Sequence, residues 1–144
     1  MTLSVRPYAE QDLESVLSAW EKASTLAHPF LTAAFQDKVR HDIPNLYLPN
    51  ADTWVAELDG SVLGFIALLG NEVGAIFVDP AFHGSGKGKA LMDKAREIHG
   101  DLEVDVFRAN AIGRQFYSRY GFKLLREETH AETGNAVLRL QYTA

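Results

Sequence analysis

The sequence predicts an α+β fold: a mixed, mostly antiparallel sheet of about seven strands with about four helices. Three observations lead there. Apolar and polar residues alternate in short stretches, as at 53–58 and 102–107, which is the period of a half-buried strand. Asp59-Gly60 and Gly70-Asn71 are tight-turn dipeptides between consecutive strands, so those strands run antiparallel. A strand–helix–strand crossover from Glu72 to Phe107 adds a parallel pair with a right-handed connection.

The elements follow in order. Leu3 and Val5 alternate with polar neighbours, so 2–6 is a short strand ended by Pro7. Leu13, Val16, Leu17 and Trp20 form the stripe of an amphipathic helix over 9–24, broken at His28-Pro29. Thr32 caps a second helix carrying Phe35, Val39 and Ile43, expected to end near Pro44, with 46–52 as a loop. Strand 53–58 turns at Asp59-Gly60 into 62–69, whose nearly continuous apolar run predicts a central strand. Strand 72–78 follows, then a glycine-bearing loop. A helix over 86–99 is stopped by Gly100, and 102–107 is the next strand. Asn110 caps a helix with Ile112, Phe116, Tyr117 and Tyr120, stopped by Gly121. Strands 122–127 and 136–142 flank a turn at Thr133-Gly134.

With 144 residues, 47% of them apolar, and no repeat or linker, 1–144 reads as a single domain. No apolar run is long enough to span a bilayer, and M-T-L-S-V-R-P has no signal-peptide pattern. Cysteine is absent, which excludes disulfides and a cysteine nucleophile and fits a cytoplasmic protein. The net charge of −5 disfavours nucleic-acid binding, and no membrane partner is expected. The five histidines show no paired ligand spacing, so no metal is expected. Monomer and homodimer both remain open.

The stretch Glu72–Gly88, E-V-G-A-I-F-V-D-P-A-F-H-G-S-G-K-G, organises the chain. Strand, glycine loop and helix start together make a phosphate site: glycines reach positive φ, successive N–H groups form a nest, and the helix end adds partial positive charge. Lys87 and Lys89 are the local cations for a polyanion. His83-Gly84-Ser85-Gly86-Lys87-Gly88 resembles the acyl-coenzyme A signature Q/R-x-x-G-x-G/A of the GNAT superfamily of N-acetyltransferases, with His83 in place of Gln or Arg. Downstream, N-A-I-G-R-Q-F-Y-S-R-Y-G-F at 110–122 is similar to that family's N-x-x-A-x-x-F-Y-x-x-x-G-F, with Gly113 in place of alanine.

The resemblance implies acetyl-CoA as cosubstrate and an amine acceptor: a protein lysine, a protein N-terminus or a small amine. It implies that strands 72–78 and 102–107 splay at their C-terminal ends, with the pantetheine arm pairing along Ile76 and Val78. The pyrophosphate would sit on His83, Gly84, Ser85, Gly86, Lys87, Gly88 and Lys89, with Asn110 meeting the arm. It implies that Tyr117 faces the coenzyme sulfur, and that His28 and Phe30, in H-P-F-L at 28–31, line the acceptor site. Glu72 holds the strand position where some members carry a catalytic glutamate; His28 and Glu103 are rival bases. Tyrosine, with pKa about 10 against about 8.5 for a thiol, suits hydrogen-bond donation to the leaving sulfur better than full proton loss. The chemistry expected is direct attack of a primary amine on the thioester in a ternary complex. The alternative is a non-catalytic acyl-CoA-binding or sensing domain.

Overall fold

Residues 3–84 and 86–144 are described in the computed structural model. The alternating stretches form β1 (Leu3–Pro7), β2 (Asp52–Leu58), β3 (Ser61–Leu69), β4 (Glu72–Val78), β5 (Leu102–Phe107), β6 (Lys123–Thr129) and β7 (Ala136–Tyr142). They join in one sheet of order β1-β2-β3-β4-β5-β7-β6. All neighbours are antiparallel except β4 and β5. The β2–β3 turn has Asp59 at φ 51 and Gly60 at φ 83, the paired positive φ that its sequence predicts.

Helices cover both faces. On one, α1 (Leu13–Ala27) brings Val16 and Trp20 onto Val55 and Phe65. On the other, α4 (Lys87–His99) buries Leu91, Met92 and Ala95 against Ile66, Leu68, Val73 and Val104. Each fully buried side chain of this size contributes about 1.5–3 kcal/mol. α5 (Ala111–Tyr120) adds Tyr117 to the same core.

The structure corrects the region after Pro44. α2 (Ala33–Asp42) does not end there but passes through a π turn (Ile43–Tyr47) into a single helical turn, α3 (Leu48–Asn50). Proline removes one backbone donor. The Leu48 N–H reaches back to the Ile43 carbonyl. The side-chain amides of Asn45 and Asn50 donate to the His41 and Leu46 carbonyls at 2.8 and 2.7 Å. Asparagines that read as loop formers thus serve a continued helical path.

Two glycines shape the middle of the sheet. Gly74 is the extra residue of a β-bulge, since Ala67 faces Ala75 while Leu68 faces Val73. A bulge bends its strand. Parallel pairing of β4 with β5 spans only Glu72–Glu103 and Val73–Val104 and stops at that bulge. Further along, a Cβ on Gly64 would lie 2.7 Å from the Phe77 carbonyl oxygen, so only glycine lets β3 approach β4 this closely. β4 therefore stays with β3 and parts from β5.

Candidate active site

The parting of β4 from β5 opens a cleft of about 740 Å³. Its wall on the β4 side is a free strand edge. The Asp79 N–H donates to the Leu63 carbonyl at 2.8 Å, and Val78 and Ile76 stand opposite Gly64 and Ile66. Antiparallel pairing alternates the direction of backbone groups, so Ile76 and Val78 direct their N–H and C=O away from β3 and into the gap. The His83 ring folds in at this edge, its Nε2 donating to the Val78 carbonyl at 2.8 Å. The His83 side chain is thus part of the loop's framework.

The floor at one end is the loop before α4. Gly84 and Gly86 have φ of 78 and 84, and a Cβ on either would meet nothing within 4 Å. They serve the backbone path, with Gly86 as the N-cap of α4. Gly88 serves packing instead: its Cβ would lie 3.0 Å from the Phe116 ring. Lys89 lines the cleft and pairs with Asp93 at 2.9 Å. The Lys87 ammonium lies 5.8 Å from the centroid of Phe82, and Lys87 is not among the lining residues. Ser85 lies outside the described residues.

The other end is built from side chains. His28 ends α1 and lines the cleft beside Phe77 and Phe107, with ring centroids 6.2 and 5.5 Å away. Phe30 packs edge-on to both His28 and Phe107, at 5.7 and 5.5 Å, behind the cleft lining. His28 Nδ1 is 3.0 Å from the Ser24 hydroxyl, and its Nε2 is 3.3 Å from the Asn110 amide nitrogen. Burial lowers the imidazole pKa to about 4, so the ring is neutral near neutral pH. Asn110, 7% exposed, accepts the Gly113 N–H at 2.8 Å as the cap of α5.

Tyr117 lies on the α5 wall with its side chain buried between Phe116 and Phe122. Its hydroxyl has no hydrogen-bond partner among the described residues. Burial pushes its pKa above the ordinary tyrosine value. A neutral, unpaired O–H facing a cleft is a hydrogen-bond donor held ready.

An acetyltransferase (GNAT) domain model matches residues 49–124, more than half the chain. The chain belongs to the GNAT family. Among Escherichia coli relatives it is 32% identical to the peptidyl-lysine N-acetyltransferase YiaC, over 90% of this chain and 92% of that protein. It is also 32% identical to the peptidyl-lysine N-acetyltransferase YjaB, over 86% of this chain and 84% of the relative. The solution structure of apo-form YjaB superposes with a TM-score of 0.88 at 28% identity, covering all of both chains. This GNAT protein is therefore an acetyl-CoA-dependent N-acetyltransferase.

Of the residues singled out in the sequence, Ile76, Val78, His83, Gly84, Gly86, Gly88, Lys89, Asn110, Tyr117 and His28 converge on the cleft. Glu72 does not. It sits at the opposite end of β4, where its carboxylate meets Arg139 at 2.8 Å. The same guanidinium holds Glu103 at 3.0 Å and Asp105 at 3.2 Å. The expectation of Glu72, or its rival Glu103, as a base thus meets a carboxylate already paired with Arg139 and outside the cleft lining. Sequence reasoning missed Ser24 and Gln36. The only mark they leave is Ser24 one helical turn before His28.

Proposed function

We propose that this GNAT enzyme acetylates the side-chain amine of lysine in a protein or peptide. The observation that carries the reading is the cleft itself. It joins a backbone-lined end fit for a phosphate-bearing amide chain to an aromatic end fit for an aliphatic stem bearing an amine. The fit to coenzyme A rests on this chain's own geometry: positive-φ glycines without Cβ, the α4 N-terminus, and the strand edge at Ile76 and Val78 that β5 does not pair, where His83 already takes the Val78 carbonyl. Gly84, Gly86 and the first turn of α4 hold the pyrophosphate, Ile76 and Val78 pair with the pantetheine amides, and Asn110 meets the arm. Tyr117 donates to the departing sulfur. Phe77 and Phe107 flank the acceptor stem, with His28 between them. Two relatives of nearly full-length match, both named peptidyl-lysine N-acetyltransferases, support the acceptor class. Lack of cysteine and use of acetyl-CoA support a cytoplasmic location.

The test is a panel of lysine peptides, N-terminally free peptides without lysine, and small amines, followed by thiol release and mass spectrometry. Acetyl groups on lysine Nζ are expected. Turnover confined to small amines or N-termini would move the acceptor class. No turnover with any amine, beside a coenzyme-induced rise in melting temperature, would leave a binding domain.

A further inference from the structure

His28 sits in a hydrogen-bond circuit that leaves it one tautomer. The Ser24 hydroxyl, 2% exposed as a residue, donates to Gln36 Oε1 at 3.2 Å. Gln36 Nε2 donates to the His28 carbonyl at 3.3 Å, which fixes which end of that amide faces Ser24. With its only proton committed to Gln36, the Ser24 oxygen must accept at 3.0 Å from His28, so Nδ1 carries the ring proton. Nε2 is then a bare lone pair. The Asn110 amide is oriented as well: Oδ1 takes the Gly113 N–H, leaving Nδ2 to donate to His28 Nε2 at 3.3 Å. That distance is at the long end for such a bond, which marks it as weak.

Gly113 makes the contact possible. A Cβ there would lie 2.5 Å from Asn110 Nδ2 and 3.0 Å from its Cγ. Alanine, the better helix former by about 1 kcal/mol, would push the Asn110 amide away. The departure from the family's alanine thus has a physical reason in this chain.

We propose that His28 positions the attacking amine by accepting its N–H at Nε2, and that Asn110 occupies this lone pair until the coenzyme arm draws its amide away. The inference rests on the reading that the acceptor enters the aromatic end of the cleft. One lone pair accepts one good donor, so the acceptor is held better once the coenzyme has bound. Coenzyme-first binding is thereby favoured. As the neutral amine attacks, the C–N bond forms to the thioester carbonyl carbon and the proton shed by nitrogen passes to His28 Nε2. The C–S bond breaks with its electron pair on sulfur, the Tyr117 hydroxyl donating a hydrogen bond to the departing thiolate without losing its proton. The imidazolium returns its proton to solvent, and the thiolate takes one from solvent.

Two measurements test this. The first needs no acceptor: ring ¹⁵N NMR of the protein, free and with coenzyme A. The free enzyme should show a protonated Nδ1 and bare Nε2, and coenzyme A should shift the Nε2 signal as Asn110 leaves. In Gly113→Ala the Nε2 signal should already stand at the coenzyme-shifted position. A protonated Nε2 in the free enzyme, or no change with saturating coenzyme, overturns the proposal. The second is two-substrate kinetics with whichever amine turns over. His28→Ala should lower kcat/KM for the acceptor about 100-fold while the acetyl-CoA KM stays within about twofold. His28→Gln, which keeps a carbonyl acceptor, should recover about a tenth of wild-type kcat/KM and serves if the alanine variant does not fold. Wild type should show coenzyme-first inhibition patterns, and Gly113→Ala should lose that preference. Acceptor kinetics unmoved in both His28 variants would sink the proposal while leaving the lysine assignment standing. A correct NMR result without lysine turnover would do the reverse.

Discussion

The two ends of the cleft are made by different means. The end proposed for the coenzyme comes from residues within 74–84 and 86–89 and works through backbone: a strand edge, two positive-φ glycines and a helix terminus. The acceptor end comes from segments far apart in sequence and works through side chains, with His28, Phe77, Phe107 and Asn110 supported by Ser24 and Gln36. A backbone site tolerates little change at its glycines but is indifferent to many neighbours. A side-chain site depends on a circuit in which each partner fixes the next. The first should fail through affinity, the second through turnover.

The sharpest break comes at Gly86. Gly86→Asp forces a side chain onto φ 84, which costs about 1–2 kcal/mol, and adds a carboxylate to the anion nest. Calorimetry should find no acetyl-CoA binding, and the coenzyme-induced rise in melting temperature should vanish. Gly86→Ala carries the same strain without the charge and should bind about tenfold more weakly, a drop of about 1.4 kcal/mol. Equal loss in both would assign the effect to strain rather than to the anion site.

Tyr117 stands between the two ends. Tyr117→Phe keeps the ring packed against Phe116 and Phe122 and removes only the unpaired hydroxyl. Folding and coenzyme affinity should stay near wild type, with turnover lower by about 10- to 1000-fold. The loss should ease with acyl donors whose thiol leaves more readily. Full activity would make Tyr117 a packing residue.

The contrast also explains what could be read in advance. All seven strands and the four longer helices follow from alternation, apolar stripes and turn residues. The glycine loop at the backbone end of the cleft was legible because positive φ and close approach restrict residue choice to glycine, which marks the sequence locally. The circuit around His28 was not, because serine, glutamine and phenylalanine are ordinary at helix and strand positions. Only the fold brings residue 28 within 3.3 Å of residue 110. The helical path past Pro44 was missed for a related reason: asparagine side chains can donate back to carbonyls one turn earlier, which no period reveals.

His28 also ties the acceptor end to stability. Folded, its imidazole is protonated only near pH 4, against 6.5 for an ordinary histidine, because burial opposes the charge. Below pH 6.5 the unfolded chain binds the extra proton and stability falls, with this contribution fully lost below pH 4. The loss is on the order of 3 kcal/mol at most. Melting temperatures of wild type and His28→Gln between pH 4 and 7 check this. The variant should lose less stability on acidification, and parallel curves would mean that His28 is not the group responsible.

The smallest effect is expected at Glu72, which lies outside the cleft at the other end of β4. The Glu72 side chain is 38% exposed, while Arg139, the shared partner, is 16% exposed and faces three carboxylates. Glu72→Gln removes one of three acceptor charges and keeps an oxygen for the same guanidinium. Partly exposed ion pairs of this kind contribute about 0–1 kcal/mol, so stability should change by no more than that. With the carboxylate committed to Arg139 and outside the cleft lining, turnover should stay within about threefold, with the pH–rate profile unchanged. Arg139→Met is the sharper variant, because it leaves Glu72, Glu103 and Asp105 facing one another without a cation, and its melting temperature should fall further than that of Glu72→Gln. If Glu72→Gln instead removed the acidic limb of the profile and most of the turnover, proton removal would belong to Glu72. His28 would then keep only its packing among Phe30, Phe77 and Phe107.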